Sequence, residues 1–281
     1  MTDHPKFTLP VLASEAGRFD YPYWKTGERT GQDELFDFFE ARPKAIDSGE
    51  YDYQLVTPRD NIDAMRKQVS ISRIAGRSAA ANQLSHPLIL PLVDAELDRP
   101  PFFWVEPRLR FPNLVQVLEE FQLTVSSTIW IIRQVSQAIL IAHDQLRTLS
   151  ALEPSQIHVS PAGRVIIGGL DVSVPFGQPF DATIADCNQP ANQGAREKLM
   201  SGPEVDLANF GRLIQWMIDR TGAESMRSPI VDRLAGLAAQ AMDSPSARYA
   251  EGLALSGRIL DGIINLELEN VMNDRPFGKV A

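Results

Sequence analysis

Apolar positions change their spacing along the 281-residue chain, and the predicted elements change with them. Residues 21–56 are rich in aromatics (Tyr21, Tyr23, Trp24, Phe36, Phe38, Phe39, Tyr51, Tyr53). Small and polar pairs interrupt them at Thr26-Gly27, Thr30-Gly31 and Asp47-Ser48-Gly49. That pattern predicts strands joined by turns. Residues 60–83 turn to Ala, Arg and Ser with apolar positions at helical spacing, so a helix follows. Residues 88–94 and 102–106 read as two further strands, broken by Arg99-Pro100-Pro101. The first hundred residues are therefore expected to be mostly sheet with one helix.

From Asn113 the pattern is helical. A short helix begins with Leu114, Val117 and Leu118, and a longer one is expected over 126–146. Its apolar residues Ile129, Ile132, Val135, Ile139 and Ala142 step by three or four and so share one buried face, with Ser126 as the expected N-cap. A hairpin follows over 156–167, its turn at Ser160-Pro161-Ala162-Gly163. Proline at the second and glycine at the fourth turn position suit a type I turn. Residues 171–203 show no periodicity, and helices resume over 205–220, 229–242 and 250–269. Sheet with one helix, then helix, hairpin, irregular stretch and helices is an α+β order in two parts.

Composition narrows the function classes. Hydrophobic residues make up 44% of the chain, enough for a sizeable core. The net charge of −9 argues against a nucleic-acid or anionic-membrane surface, which needs clustered Lys and Arg. One cysteine, Cys187, excludes an internal disulfide framework. His4, His86, His143 and His158 show no paired metal-ligand spacing and are expected to be structural or solvated. No apolar run reaches the length of a membrane-spanning helix and no signal-peptide pattern opens the chain, so a cytoplasmic location is expected.

Several strings, in order, resemble the bacterial serine/threonine protein kinase domain between about residues 21 and 260. Phe38-Phe39-Glu40-Ala41-Arg42 resembles the strand after that family's glycine-rich loop. Leu84-Ser85-His86-Pro87, with Ile89 and Leu90, resembles the stretch between its first helix and fourth strand, and Phe102 to Glu106 the strand entering its hinge. The longest match runs ungapped from Ala142-His143 to Gly168-Gly169-Leu170-Asp171, over the catalytic loop, hairpin and metal-binding motif. Asp206 to Gly211 resembles the start of a buried helix, and Met242 to Tyr249 a late arginine-containing turn. The resemblance implies a two-lobed fold: a 1–20 extension, a small mostly-β N-lobe with one helix over 21–108, a larger mostly-α C-lobe over 109–263, and the end of the C-terminal helix with a tail over 264–281.

The same alignment implies that the chemistry is missing. The three glycine positions of the phosphate-binding loop hold Gly31, Asp33 and Phe36. The strand lysine is Gln54, and its helix glutamate is Arg77, so the ion pair of an active kinase cannot form. The His-Arg-Asp positions are Leu149, Ser150 and Ala151; the following lysine is Glu153 and the metal-binding asparagine Gln156. The Asp-Phe-Gly motif becomes Gly169, Leu170 and Asp171. Asp171 stands two residues, roughly 7 Å, from the ligand position. A Mg²⁺ site holding its oxygens at about 2.0–2.1 Å does not tolerate that shift. Losing two lysines while gaining Asp33 and Glu153 is also unfavourable for a phosphate. A unit-charge pair about 6 Å apart at an effective dielectric of ~20 is worth roughly 3 kcal/mol.

Retained positions are those that resemble scaffold: Asp206, expected to hold the catalytic-loop backbone, and Arg248, whose acidic partner aligns with Ala191. Trp130 and Trp216 are expected on core or half-buried faces, and the stripe from Ile264 through Leu266 and Leu268 to Val271 and Met272 either packs on its own lobe or docks a partner. The resemblance therefore implies a catalytically inactive pseudokinase that binds another protein, such as an active kinase or other signalling component. No cofactor and weak or absent Mg-ATP binding are expected. Two alternatives use the same residues. One is an altered phosphotransferase drawing on Glu153, Asp33 and Asp171, with Arg77 supplying positive charge. The other is a nucleotide sensor, with adenine held by the hinge at Val105, Glu106 and Arg108 through the Glu106 carbonyl and the Arg108 amide.

Overall fold

The computed structural model describes residues 20–46, 49–149, 152–178, 201–221, 228–243 and 249–274. The protein is α+β and divides into two compact units. Among the described residues, one contains those up to Ile74 and Leu92–Arg108, the other Ala75–Pro91 and those from Leu109 onward.

The first unit is built on a five-stranded antiparallel sheet in the order β1-β2-β3-β5-β4. Its strands are β1 (Trp24–Gln32), β2 (Phe36–Pro43), β3 (Tyr53–Pro58), β4 (Asp94–Glu96) and β5 (Phe103–Pro107). Period-two alternation sorts the apolar residues onto opposite faces. Trp24, Ala41, Leu55, Phe103 and Val105 pack with Tyr21 on one. Phe36, Val56 and Trp104 pack with Leu35 and Ile74 on the other. Edge-to-face ring pairs reinforce both, Tyr21 on Phe103 at 5.2 Å and Phe36 on Trp104 at 4.8 Å. Burial pushes the Tyr21 phenol up to about 12.

Two turn expectations fail here. Thr26-Gly27 and Thr30-Gly31 do not end a strand; β1 runs through both, with register shifts between Thr26 and Arg29 and between Arg29 and Gly31. An edge strand has one free side and accommodates such bulges. The chain reverses instead at Asp33, between β1 and β2. The third expected turn includes residues 47 and 48, outside the described residues. Residues 88–90 are likewise not a strand of this sheet. They belong to the second unit, where Ile89 bridges in parallel to Ile167.

Helix α1 (Ala64–Ala81) lies between β3 and β4 in sequence, and the unit division runs through it. Asp63 caps it, its Oδ1 accepting the Arg66 amide at 2.8 Å.

The second unit is mostly helical: α2 (Leu114–Glu120), α3 (Val125–Asp144), α4 (Pro203–Ile218), α5 (Pro229–Met242) and α6 (Tyr249–Asp274). The hairpin of β6 (Ile157–Val159) and β7 (Val165–Ile167) lies between α3 and α4 in sequence. Asn113 and Gln116 form a reciprocal capping box on α2. Thr124, not Ser126, caps α3: its Oγ accepts the Ser127 amide at 3.1 Å, while Ser126 receives the Asn270 amide group. The five expected face residues of α3 are all buried. This helix is long and apolar enough by composition alone to cross a membrane, but its apolar face is covered by residues of α4, α6 and the hairpin, as in a core helix. The hairpin turn closes through the Gly163 amide donating to the Ser160 carbonyl at 2.8 Å, with Gly163 at φ +75°. Helix α6 runs unbroken through residue 264, as the helix expected over 250–269 does.

Candidate functional site

In the first unit, Asp33 closes the β1–β2 turn. Its Oδ1 accepts the Leu35 amide at 2.7 Å and the Phe36 amide at 2.6 Å, while its own amide donates to the Phe36 carbonyl at 3.0 Å. Arg59 clamps the turn from the end of β3, its guanidinium on the Asp33 carbonyl and its amide on the Leu35 carbonyl, both at 2.9 Å. Phe36 is buried against Trp104, and Gly31 is a half-buried strand residue opposite Phe38.

Gln54 occupies the middle of β3, with Glu40 of β2 on one side and Glu106 of β5 on the other. Residues opposite one another share a face, so the uncharged amide lies in a row with two carboxylates. Glu40 is ion-paired to Arg108, and Glu106 accepts the Trp104 indole N–H at 3.2 Å. Val105 is fully buried in the core, so only its backbone could serve a ligand. The Arg108 amide donates to the Asp52 carbonyl at 2.8 Å. Antiparallel ladders alternate bonded and non-bonded pairs, which makes Gln54 and Glu106 the next mutually bonded pair. Both hinge groups assigned to adenine are thus engaged with β3 or the residue before it.

In the second unit, Arg77 on α1 is 2% exposed, and its Nη2 donates to the Leu90 carbonyl at 2.8 Å. Its neighbour Gly76 approaches another backbone closely: a Cβ there would stand 2.9 Å from the Asp171 carbonyl oxygen. Leu149 and Leu170 are both fully buried in the core of this unit. Gly169 is left-handed at φ 68°, ψ 25°, and opens a single 3₁₀ turn, Leu170–Val172, in which Asp171 is half-buried. Another 3₁₀ turn, Pro154–Gln156, follows the exposed Glu153, whose carboxylate receives the Ser155 hydroxyl at 3.4 Å. The Gln156 carbonyl accepts the Gly168 amide at 2.8 Å, and its side-chain oxygen would lie 3.1 Å from a Cβ at Gly168. Ser150, Ala151, Ala191 and Arg248 lie outside the described residues.

Asp206, in the first turn of α4, is completely buried and its Oδ2 accepts the Leu149 amide at 2.7 Å. The same oxygen is 3.0 Å from His143 Nε2, and His143 Nδ1 is 3.0 Å from the Ser256 hydroxyl of α6. That hydroxyl also reaches the Gly252 carbonyl at 3.0 Å. Serine, histidine and carboxylate in a row have the composition of a hydrolase triad, but all three are buried, which makes the set a pin joining α3, α4 and α6. A second buried support is Arg147, which donates to the Ser173 carbonyl at 2.8 Å and to Gln83 Oε1 at 3.2 Å. Burial draws its guanidinium below its usual value. Sequence reasoning missed the roles of His143, Ser256 and Arg147, because their partners lie 26 to 113 residues away.

Among the described residues no group of three or more His, Cys, Asp or Glu could hold a metal ion. No protein-family model matches the chain, and no curated protein matches it in sequence.

Proposed function

We propose that this chain has a two-lobed protein kinase-like fold without phosphoryl-transfer chemistry, and that it works by binding another protein. In this reading the first unit is the smaller, mostly β lobe and the second the larger, mostly helical one. Gly169 carries the argument. At the position matching the family's principal metal ligand, the backbone is in the left-handed region that favours glycine. The next residue, Leu170, is fixed in the core. Glycine at this position offers a metal ion no carboxylate, although aspartate is among the few side chains that the left-handed region tolerates.

The same reading takes Gln54, flanked by Glu40 and Glu106, as the replacement for the phosphate-holding lysine. Arg77 does not stand in for it, since its guanidinium is buried on the Leu90 carbonyl. Engagement of the Arg108 amide by Asp52 argues against the nucleotide-sensor alternative.

The test is incubation of the purified protein with labelled ATP and Mg²⁺, alone and with a generic phosphoacceptor protein. The expected result is no transfer. Transfer that disappears in Gln54→Ala or Gln156→Ala would overturn the proposal in favour of an altered phosphotransferase.

A further inference from the structure

The turn between β1 and β2 provides its own anion. We propose that the Asp33 carboxylate occupies the backbone amides with which this turn would otherwise hold a phosphate, so that the turn excludes phosphoanions by self-ligation. The inference rests on the kinase-like reading only for the expectation that a phosphate would be held here.

Backbone N–H groups that converge on one point form a concave anion site, and glycine-rich turns use them to cradle phosphates. Here the Leu35 and Phe36 amides converge on a single oxygen, Asp33 Oδ1, at 2.7 and 2.6 Å. Hydrogen bonds from an amide to a carboxylate are stronger than neutral ones, so a phosphate would have to displace an anion already well placed. The turn is also held from outside: Arg59 bonds the Asp33 and Leu35 carbonyls, and Phe36 is anchored by its ring against Trp104. A phosphate approaching the turn meets the same carboxylate as a like charge. Asp33 therefore acts twice, by occupying the donors and by repulsion.

The experiment is backbone-amide NMR of the full chain, with hydrogen exchange and titration with millimolar pyrophosphate, on wild type, Asp33→Asn and Asp33→Gly. In wild type the Leu35 and Phe36 amides should be protected from exchange and should not shift with pyrophosphate. Asparagine keeps an accepting oxygen, so protection should persist. Glycine removes it: both amides should lose protection and shift with pyrophosphate, while Leu55 and Val56 in β3 stay protected. Unprotected or pyrophosphate-responsive amides in wild type would overturn the proposal, as would a folded glycine variant indifferent to pyrophosphate. If the glycine variant does not fold, Asp33→Ala takes its place. Phosphate transfer by wild type with unresponsive Leu35 and Phe36 amides would overturn the inactive-kinase reading and leave this inference standing.

Discussion

At the scale of single residues, two positions have measurable consequences. His158 is partly buried, and desolvation lowers its pKa from the ordinary 6.5, only partly opposed by its hydrogen bond to the Phe111 carbonyl. In the window between the folded and unfolded pKa values the unfolded chain binds more protons, so stability rises with pH there. The contribution of a neutral His158 is present above about 6.5 and is lost as pH falls toward the depressed folded value. Melting temperature measured from pH 7.5 to 5 should fall less steeply in His158→Gln than in wild type. Equal slopes would show that burial of this imidazole is not linked to folding. Leu146 is the second position: it ends α3 at φ 55°, a left-handed conformation usually given to glycine. Its amide donates to the His143 carbonyl and the Arg147 amide to the Ala142 carbonyl, the two bonds of a Schellman cap. The side chain is exposed, so little burial is lost on removing it. Relief of roughly 1–2 kcal/mol of strain, offset by the added entropy of an unfolded glycine, predicts that Leu146→Gly stabilises by up to about 1 kcal/mol in chemical denaturation.

At the scale of elements, close helix packing depends on where glycines stand. A Cβ on Gly211 in α4 would come within 2.6 Å of the Ala238 carbonyl oxygen of α5, whereas one on Gly236 would meet nothing within 4 Å. Overpacking costs about 1–3 kcal/mol, more than the ~1 kcal/mol that alanine gains over glycine in a helix. Gly211→Ala should therefore destabilise, and Gly236→Ala should stabilise by up to about 1 kcal/mol. The same sign for both in urea unfolding would rule out that α4–α5 contact. Helix periodicity was legible in the sequence, since Ile129, Ile132, Val135, Ile139 and Ala142 are all buried as their spacing predicts. Helix ends and bulges were less legible. Thr124 and Ser126 are both good caps by residue type, and only backbone geometry distinguishes them. Trp130, expected in a core or half-buried face, is 42% exposed, with its indole N–H on the Gly163 carbonyl and the Arg133 guanidinium over its ring. Along α6, Leu266 is buried, whereas Leu268 and Val271 are exposed, which divides the expected stripe between core and solvent.

At the scale of the whole molecule, the inactive reading makes a thermodynamic prediction. A ligand at one hundred times its Kd stabilises a fold by about 2.7 kcal/mol. For a chain of this size that is a rise of several degrees in melting temperature. With millimolar ATP and Mg²⁺, against EDTA and adenosine controls, the expected change is none. A Mg-dependent rise would mean that the carboxylates and guanidinium groups rearrange to hold phosphate, and the altered-transferase reading would then lead. The net charge of −9 acts at this scale too, disfavouring polyanionic partners and leaving a protein partner as the one the proposal names.

Sequence alone determined what depends on neighbouring residues: the α+β order, the buried stripe of α3 and the Ser160–Gly163 turn. These follow from side-chain spacing and from bonds that span three or four positions. Tertiary structure decided which distant groups meet. Residues 75–91 cluster with the second unit although the sequence reading ran the first part continuously to 108. His143 joins Asp206 and Ser256, Arg77 turns to the Leu90 carbonyl, and the Arg108 amide is engaged by Asp52. A buried polar group must find a partner wherever the packed chain brings one. That partner is set by the fold as a whole and leaves no periodic trace in the sequence around either residue.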